Sequence, residues 1–136
     1  MKRASLLIDE PYVLNVVRSM LEHHGFAVEG FAACLQPGLP HECELGCRTE
    51  HAAPDLIVVE ILLPRCCTGV DAARKALRQW PGVKVLLTSA SPREMWPEDA
   101  VNAFASLPAM SCGFLAKPFT TQQLYAAIDD LLNGRH

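Results

Sequence analysis

The sequence predicts an α/β fold in which helices cover both faces of a parallel sheet, and three observations predict it. Short β-rich apolar runs alternate along the chain with segments whose apolar residues recur at helical spacing, the signature of βα units wound into one parallel sheet. The run Asp55-Leu56-Ile57-Val58-Val59-Glu60 is apolar without alternation, as a central strand covered on both faces requires. The length, 136 residues, suits a single domain spanning residues 1–136 with one core, and 50% hydrophobic against 20% charged residues is a globular composition, neither disordered nor coiled-coil.

Each element follows in order. Ser5-Leu6-Leu7-Ile8 is the first strand. Pro11 sits where a first helical turn tolerates a missing N–H, and Val13, Leu14, Val17, Met20 and Leu21 keep helical spacing until Gly25 supplies a stop. Phe26-Ala27-Val28-Glu29-Gly30-Phe31 alternates as a second strand. From Ala32 to Ala53, Pro37, Gly38 and Pro40 break the pattern ahead of a short second helix expected over His41 to His51. The third strand ends on Glu60. Gly69 to Trp80 carries Val70, Ala73, Leu77 and Trp80 at helical spacing and closes on Pro81-Gly82, after which Val83 to Thr88 is the fourth strand. Ser91 to Leu107 is a long connection with a fourth helix starting at Pro97. Phe114-Leu115-Ala116 is the fifth strand, and Thr120 or Thr121 caps a fifth helix with the stripe Leu124, Ile128, Leu131 and Leu132.

Composition narrows the function classes. The formal net charge is -3 and the 12 Lys and Arg are scattered, so no cationic field of the kind that binds phosphate backbones is present, and nucleic acid is not expected as a direct ligand. No apolar run reaches the roughly 18 residues of a membrane span. The apolar stretch after Met1-Lys2-Arg3 is broken by Asp9 too early for a signal peptide, which predicts a cytoplasmic protein. In that compartment the six cysteines (34, 43, 47, 66, 67 and 112) are expected as reduced thiols, in part as small buried hydrophobes.

Ligands of open parallel sheets sit beyond the carboxyl ends of the strands, so the residues just past each apolar run are the ones that carry function. Asp9 and Glu10 follow the first strand, Glu60 ends the third, Thr88 and Ser89 end the fourth, and Lys117-Pro118 follows the fifth. Right-handed crossovers bring these ends together into one shallow site. Oxygen ligands of that kind suit Mg²⁺, while a hydroxyl and a lysine suit a phosphoryl group.

These stretches resemble the receiver domain of two-component response regulators over nearly the whole chain. The matching segments are Leu6-Leu7-Ile8-Asp9-Glu10-Pro11, Pro54 to Pro64, Val85-Leu86-Leu87-Thr88-Ser89-Ala90, and Phe114-Leu115-Ala116-Lys117-Pro118-Phe119. The resemblance implies a flavodoxin-like α/β/α sandwich with strand order 2-1-3-4-5. It also implies a phosphoacceptor position at Glu60, an acidic Mg²⁺ pocket of Asp9, Glu10, Glu60 and Leu62, phosphate sensing by Thr88, Ser89 and Lys117, and a switch aromatic at Phe114. The implied partner is a sensor histidine kinase or another signalling protein. A further implied contact is a homodimer through the face made by the fourth helix, fifth strand and fifth helix, with Phe114, Phe104, Leu124 and Tyr125 as candidates.

The chain also departs from the pattern that it resembles. Glu60 stands where the family has Asp, and Ile8 stands at the first position of the acidic pair. The loop Arg65-Cys66-Cys67-Thr68-Gly69 is one residue longer than usual, and the stretch from Thr88 to Lys117 is extended. A Glu carboxylate lies about 1.5 Å beyond an Asp carboxylate, a displacement that in-line transfer geometry does not tolerate well. Phosphoacceptance is therefore expected to be impaired and Mg²⁺ binding weakened. The longer arm reaches instead toward the place of a phosphoryl group, where it could pair with Lys117 or Thr88 as a partial mimic. The alternative within the class is a phosphorylatable receiver using Glu60 or a neighbouring acid.

Two readings come from other classes. Cys43, Cys47 and His51 fall at i, i+4 and i+8, one face of the expected second helix, where nitrogen and sulfur would suit Zn²⁺. Their spacing matches no common finger, and buried cysteine on an inner helix face is the simpler account. Cys66-Cys67 beside the acidic site suggests a redox pair, but adjacent cysteines make a strained disulfide. A metal or thiol sensor therefore ranks below a signalling domain, as does a purely structural partner-binding module.

Overall fold

The computed structural model describes residues 2–8, 10–30, 54–61 and 69–134. In chain order the elements are β1 (Lys2–Leu7), α1 (Pro11–His23), β2 (Phe26–Gly30), β3 (Leu56–Glu60), α2 (Gly69–Gln79), β4 (Lys84–Ser89), α3 (Glu98–Ala105), β5 (Cys112–Ala116) and α4 (Thr121–Leu132). The expected helix over His41 to His51 lies outside the described residues. Five strands form one sheet in the order β2-β1-β3-β4-β5, parallel throughout, as expected.

Strands β1 and β5 begin before their apolar runs. β1 starts at Lys2 because Lys2 and Arg3 pair through their backbones with Phe26 and Ala27, a role that needs no apolar side chain. β5 starts at Cys112, opposite Val85, although Cys112-Gly113 carries no strand pattern.

Burial explains the order of layers. Along β3, Leu56 and Val58 join Leu6, Val17, Leu21, Leu86, Leu124 and Ile128 in a cluster beneath α1 and α4. The alternate residues Ile57 and Val59 join Leu7, Val70, Ala73, Ala76, Leu87 and Trp96 beneath α2 and α3. All four β3 residues have no exposed surface, so the period of two places both sets in cores of opposite faces.

Local chemistry fixes the ends. Thr120, rather than Thr121, caps α4: its hydroxyl accepts from the Gln123 N–H at 3.0 Å while the Gln123 side chain accepts from the Thr120 N–H at 2.8 Å. Gly25, at φ 93, takes the left-handed conformation that turns the chain from α1 into β2. Among the described residues, no helix is long and apolar enough to cross a membrane.

Gly69 joins α2 to the functional edge of the sheet. Its N–H donates to the Ile61 carbonyl at 2.7 Å. A Cβ there would lie 2.0 Å from the carbonyl oxygen of Glu60 and 2.8 Å from the Cα of Ile61, both backbone atoms that have no side-chain freedom with which to yield. Gly69→Ala is expected to destabilise the fold by about 1–3 kcal/mol through overpacking, read as a lower urea midpoint at an unchanged m-value. A wild-type midpoint would show that this close approach is not maintained.

Candidate functional site

The register of the sheet places the site. Glu60 pairs with Thr88 across β3 and β4, and Ser89 pairs with Ala116 across β4 and β5. The ladder continues past the strands: the Ile61 N–H donates to the Thr88 carbonyl at 2.8 Å, and the Lys117 N–H to the Ser89 carbonyl at 2.9 Å. Lys117 is thereby fixed two strands away from Glu60. Its side chain reaches back over the end of β4, and Nζ donates to Glu60 Oε1 in an ion pair. The side chains of Lys117 and Glu60 are only 16% and 13% exposed, so the pair is largely withdrawn from the solvent that weakens surface pairs. The Lys117–Pro118 peptide is cis.

Thr88, between them, is 1% exposed, and its Oγ1 has no hydrogen-bond partner among the described residues. A buried hydroxyl in that condition costs free energy until it finds an acceptor. Ser89 is engaged instead: its hydroxyl donates to the Ser91 carbonyl and accepts from the Ser91 N–H, both at 3.1 Å. Of the two hydroxyls expected to sense phosphate alongside Lys117, that of Thr88 is unpartnered among the described residues and that of Ser89 already holds the segment after β4.

The acidic pocket takes a different form from that expected. Glu10 faces α1: its two carboxylate oxygens accept from the N–H groups of Tyr12 at 3.2 Å and Val13 at 3.1 Å. A carboxylate at a helix N-terminus satisfies amides that have no intrahelical partner and meets the positive end of the dipole, which explains why the side chain turns away from the pocket. Ile8 is buried in the core at 1% exposure. Asp9 and Leu62 lie outside the described residues, as do Cys43, Cys47, His51, Cys66 and Cys67.

The aromatic positions divide between two sides of the molecule. Phe114 is 39% exposed and packs edge-to-face on Trp96 and Phe104, with ring centroids 5.5 and 5.9 Å away. Leu124, expected on the same outer face, has no exposed surface and belongs to the core beneath α1 and α4. Tyr125 also turns to that side: its hydroxyl donates to the Met20 carbonyl at 2.7 Å, and its ring stacks on His24 with centroids 3.9 Å apart. His24 Nε2 in turn lies 2.9 Å from Asp129 Oδ1, so α1 and α4 are tied at their far ends. Of the four candidates on the face that the resemblance implies, Phe104 and Phe114 stand together, while Leu124 and Tyr125 pack on the other side of the sheet. Trp96 escaped sequence reasoning altogether; the one signal was a large apolar residue inside a connection bounded by Pro92 and Pro97.

A parallel doubly wound sheet whose strand ends gather a carboxylate, a hydroxyl and a lysine defines a signalling receiver, and comparison with known proteins agrees. Residues 6–129 match the response regulator receiver domain, and the chain belongs to that family. It is 28% identical over 127 residues to the transcriptional regulatory protein CreB of Escherichia coli, covering 93% of this chain and 49% of CreB, so it spans about half the length of that relative. The crystal structure of a response regulator receiver protein from Sinorhizobium medicae superposes with a TM-score of 0.74 at 27% identity, covering 99% of this chain and 97% of the other. The receiver domain of the sensor histidine kinase PA1611 from Pseudomonas aeruginosa, with magnesium coordinated in its active-site cleft, gives the same TM-score at 22% identity over 97% of this chain and 98% of that one. The chain is thus a receiver domain of two-component signalling.

Among the described residues, few side-chain oxygens stand free at this edge of the sheet. Ile8 offers no oxygen, the Glu10 carboxylate is bound to α1, and Glu60 is paired with Lys117. Among the described residues, no group of three or more His, Cys, Asp or Glu side chains lies close enough together to hold a metal ion.

Cys112, at the start of β5, is the cysteine that the described residues contain, and it is buried. Burial pushes its thiol up from 9.0 to about 11, against the opposing pull of the Lys84 ammonium. The folded state thus favours the neutral thiol; the resulting stability is present below the unfolded value near 9 and is lost as the pH rises toward 11. Peptide mapping after alkylation at pH 9 is expected to find Cys112 labelled far more slowly in the folded protein than in urea. Equal rates would show a thiol exposed to solvent.

Proposed function

We propose that this chain, residues 1–136 as one domain, is an atypical receiver with impaired phosphoacceptance, in which Glu60 takes part of the role of a phosphoryl group. The observation that carries the reading is the ion pair between Glu60 and Lys117. In a phosphorylated receiver a lysine at this position would meet a doubly charged group; here it meets one permanent carboxylate, which supplies about one negative charge in place of nearly two. The mimic is therefore partial, and the unpartnered Thr88 hydroxyl is consistent with it: one sensing contact is made and the other is open. Weakened Mg²⁺ binding follows from the loss of oxygen ligands at Ile8 and Glu10.

On this reading the domain acts in the cytoplasm by docking and not by catalysis, with a sensor histidine kinase or another signalling protein as its partner and no direct role for nucleic acid. Tyr12 at 73%, Met95 at 71%, Met110 at 64% and Phe114 at 39% exposure are residue types that interfaces favour, which supports a docking role.

Mass spectrometry after incubation with a small phosphodonor and Mg²⁺ tests the proposal. The wild type is expected to gain no phosphoryl mass, and Glu60→Asp to gain little, because the residues at positions 8 and 10 still supply no free carboxylate. Stoichiometric labelling of the wild type would overturn the reading in favour of a phosphorylatable receiver. Glu60→Gln, which removes the charge and keeps the shape, is expected to shift self-association or partner affinity toward the resting arrangement, because a switch responds only to interactions that differ between its states. Analytical ultracentrifugation and the NMR shifts around Phe114 read the change, and unchanged values in both would leave a static binding module.

A further inference from the structure

The geometry points to Trp96 as a positioning residue that links the end of β4 to the exposed aromatic face, so that Phe114 moves only with the segment that carries Trp96. This goes beyond the reading of Glu60, because it concerns how the end of β4 is read out whatever occupies the site.

The link is a short series of contacts. Thr88 and Ser89 close β4 and are held on both sides by the backbone bonds to Ile61 and Lys117. The Ser89 hydroxyl donates to the Ser91 carbonyl, and that same carbonyl accepts the Trp96 indole N–H at 3.0 Å. A carbonyl has two lone pairs, and here Ser89 and Trp96 share them. Between Ser91 and Trp96 a single turn of 3-10 helix, Arg93–Met95, folds the chain back, so that the indole comes to lie in the core at 6% exposure beside Leu87 and Ala100.

From there the ring makes two edge-to-face contacts: with Phe104 of α3 at 5.8 Å and 90°, and with Phe114 of β5 at 5.5 Å and 69°. Phe104 and Phe114 close the triangle at 5.9 Å and 65°. Each ring edge meets the face of a neighbour, an arrangement with directional preference that one ring cannot leave without disturbing the other two. Phe114 is thus no free rotor. It packs against a tryptophan whose polar end is fastened to the Ser89–Ser91 turn, and a displacement of that turn reaches the surface through the indole. The extended connection between β4 and α3 is what brings Trp96 into this position.

The test separates this link from the role of Glu60. In the full chain, Ser89→Ala removes one of the two donors at the Ser91 carbonyl without touching Glu60 or Lys117. Two-dimensional NMR is expected to show a shift of the Trp96 indole N–H, assigned by comparison with Trp80→Phe, together with shifts of the Phe114 ring signals. In Trp96→Phe, which keeps an aromatic ring and loses the N–H, Ser89→Ala is expected to leave the Phe114 ring signals where they were. An equal Phe114 response with and without Trp96, or an indole proton that ignores Ser89→Ala, overturns the link; the second readout needs only the Ser89 variant and stands even if Trp96→Phe fails to fold. Glu60→Gln silent at Phe114, with Ser89→Ala still acting through Trp96, would remove the mimic and keep the link.

Discussion

Strand β3 has water on neither face, and the position of every group in the site follows from how such a strand is held in register. A strand with one wet face is fixed by its pattern, since a slip of one residue exposes its apolar side. For β3 that penalty is absent between Leu56 and Val59, because both faces are sealed. The register is fixed by its ends. Asp55 accepts from the Arg3 N–H at 2.8 Å, and Glu60 pairs with Lys117. A slip in one direction would draw the Glu60 carboxylate into the core, and in the other the Asp55 carboxylate. Either leaves a buried unpaired charge, among the most unfavourable arrangements a fold can contain. The ion pair at the site is therefore also an anchor of the sheet.

The strands were legible because burial on two faces writes itself as a continuous apolar run, their order came from the resemblance to receivers, and the site was legible because ligands gather at the ends of such runs. Glu60, Thr88 and Lys117 stand together as their positions in the sequence imply. What was not legible depends on competition between partners. An acid after the first strand reads as a pocket ligand, yet two helix amides lie within reach of Glu10 and hold it. No periodicity marks Trp96, which is buried by the fold of a connection and not by an element. Which candidates of the implied outer face belong to the core was likewise open, and Leu124, already part of the apolar stripe, is the one with no exposed surface.

Electrostatics and packing divide the functional edge between them. On the side of β3 the site is polar and its contacts are made by charge. On the side of β5 it passes into rings that contact one another edge-to-face and carry no net charge. Charge acts with little regard to angle, and ring edges act only within a narrow range of angles. The turn Ser89–Ser91 stands at the boundary, where a hydroxyl and an indole meet at one carbonyl.

The packing of Ile8 bears on the history open to this chain. If Glu60 stands in for a phosphoryl group, recovery of an ordinary phosphate-accepting site requires a metal pocket as well as an aspartate. An acid in place of Ile8 would introduce a carboxylate where the side chain is 1% exposed. That step lowers stability before any metal is gained to offset it. On that reading, selection acting on single substitutions meets a valley at position 8, and the way back to a metal pocket runs through a less stable protein.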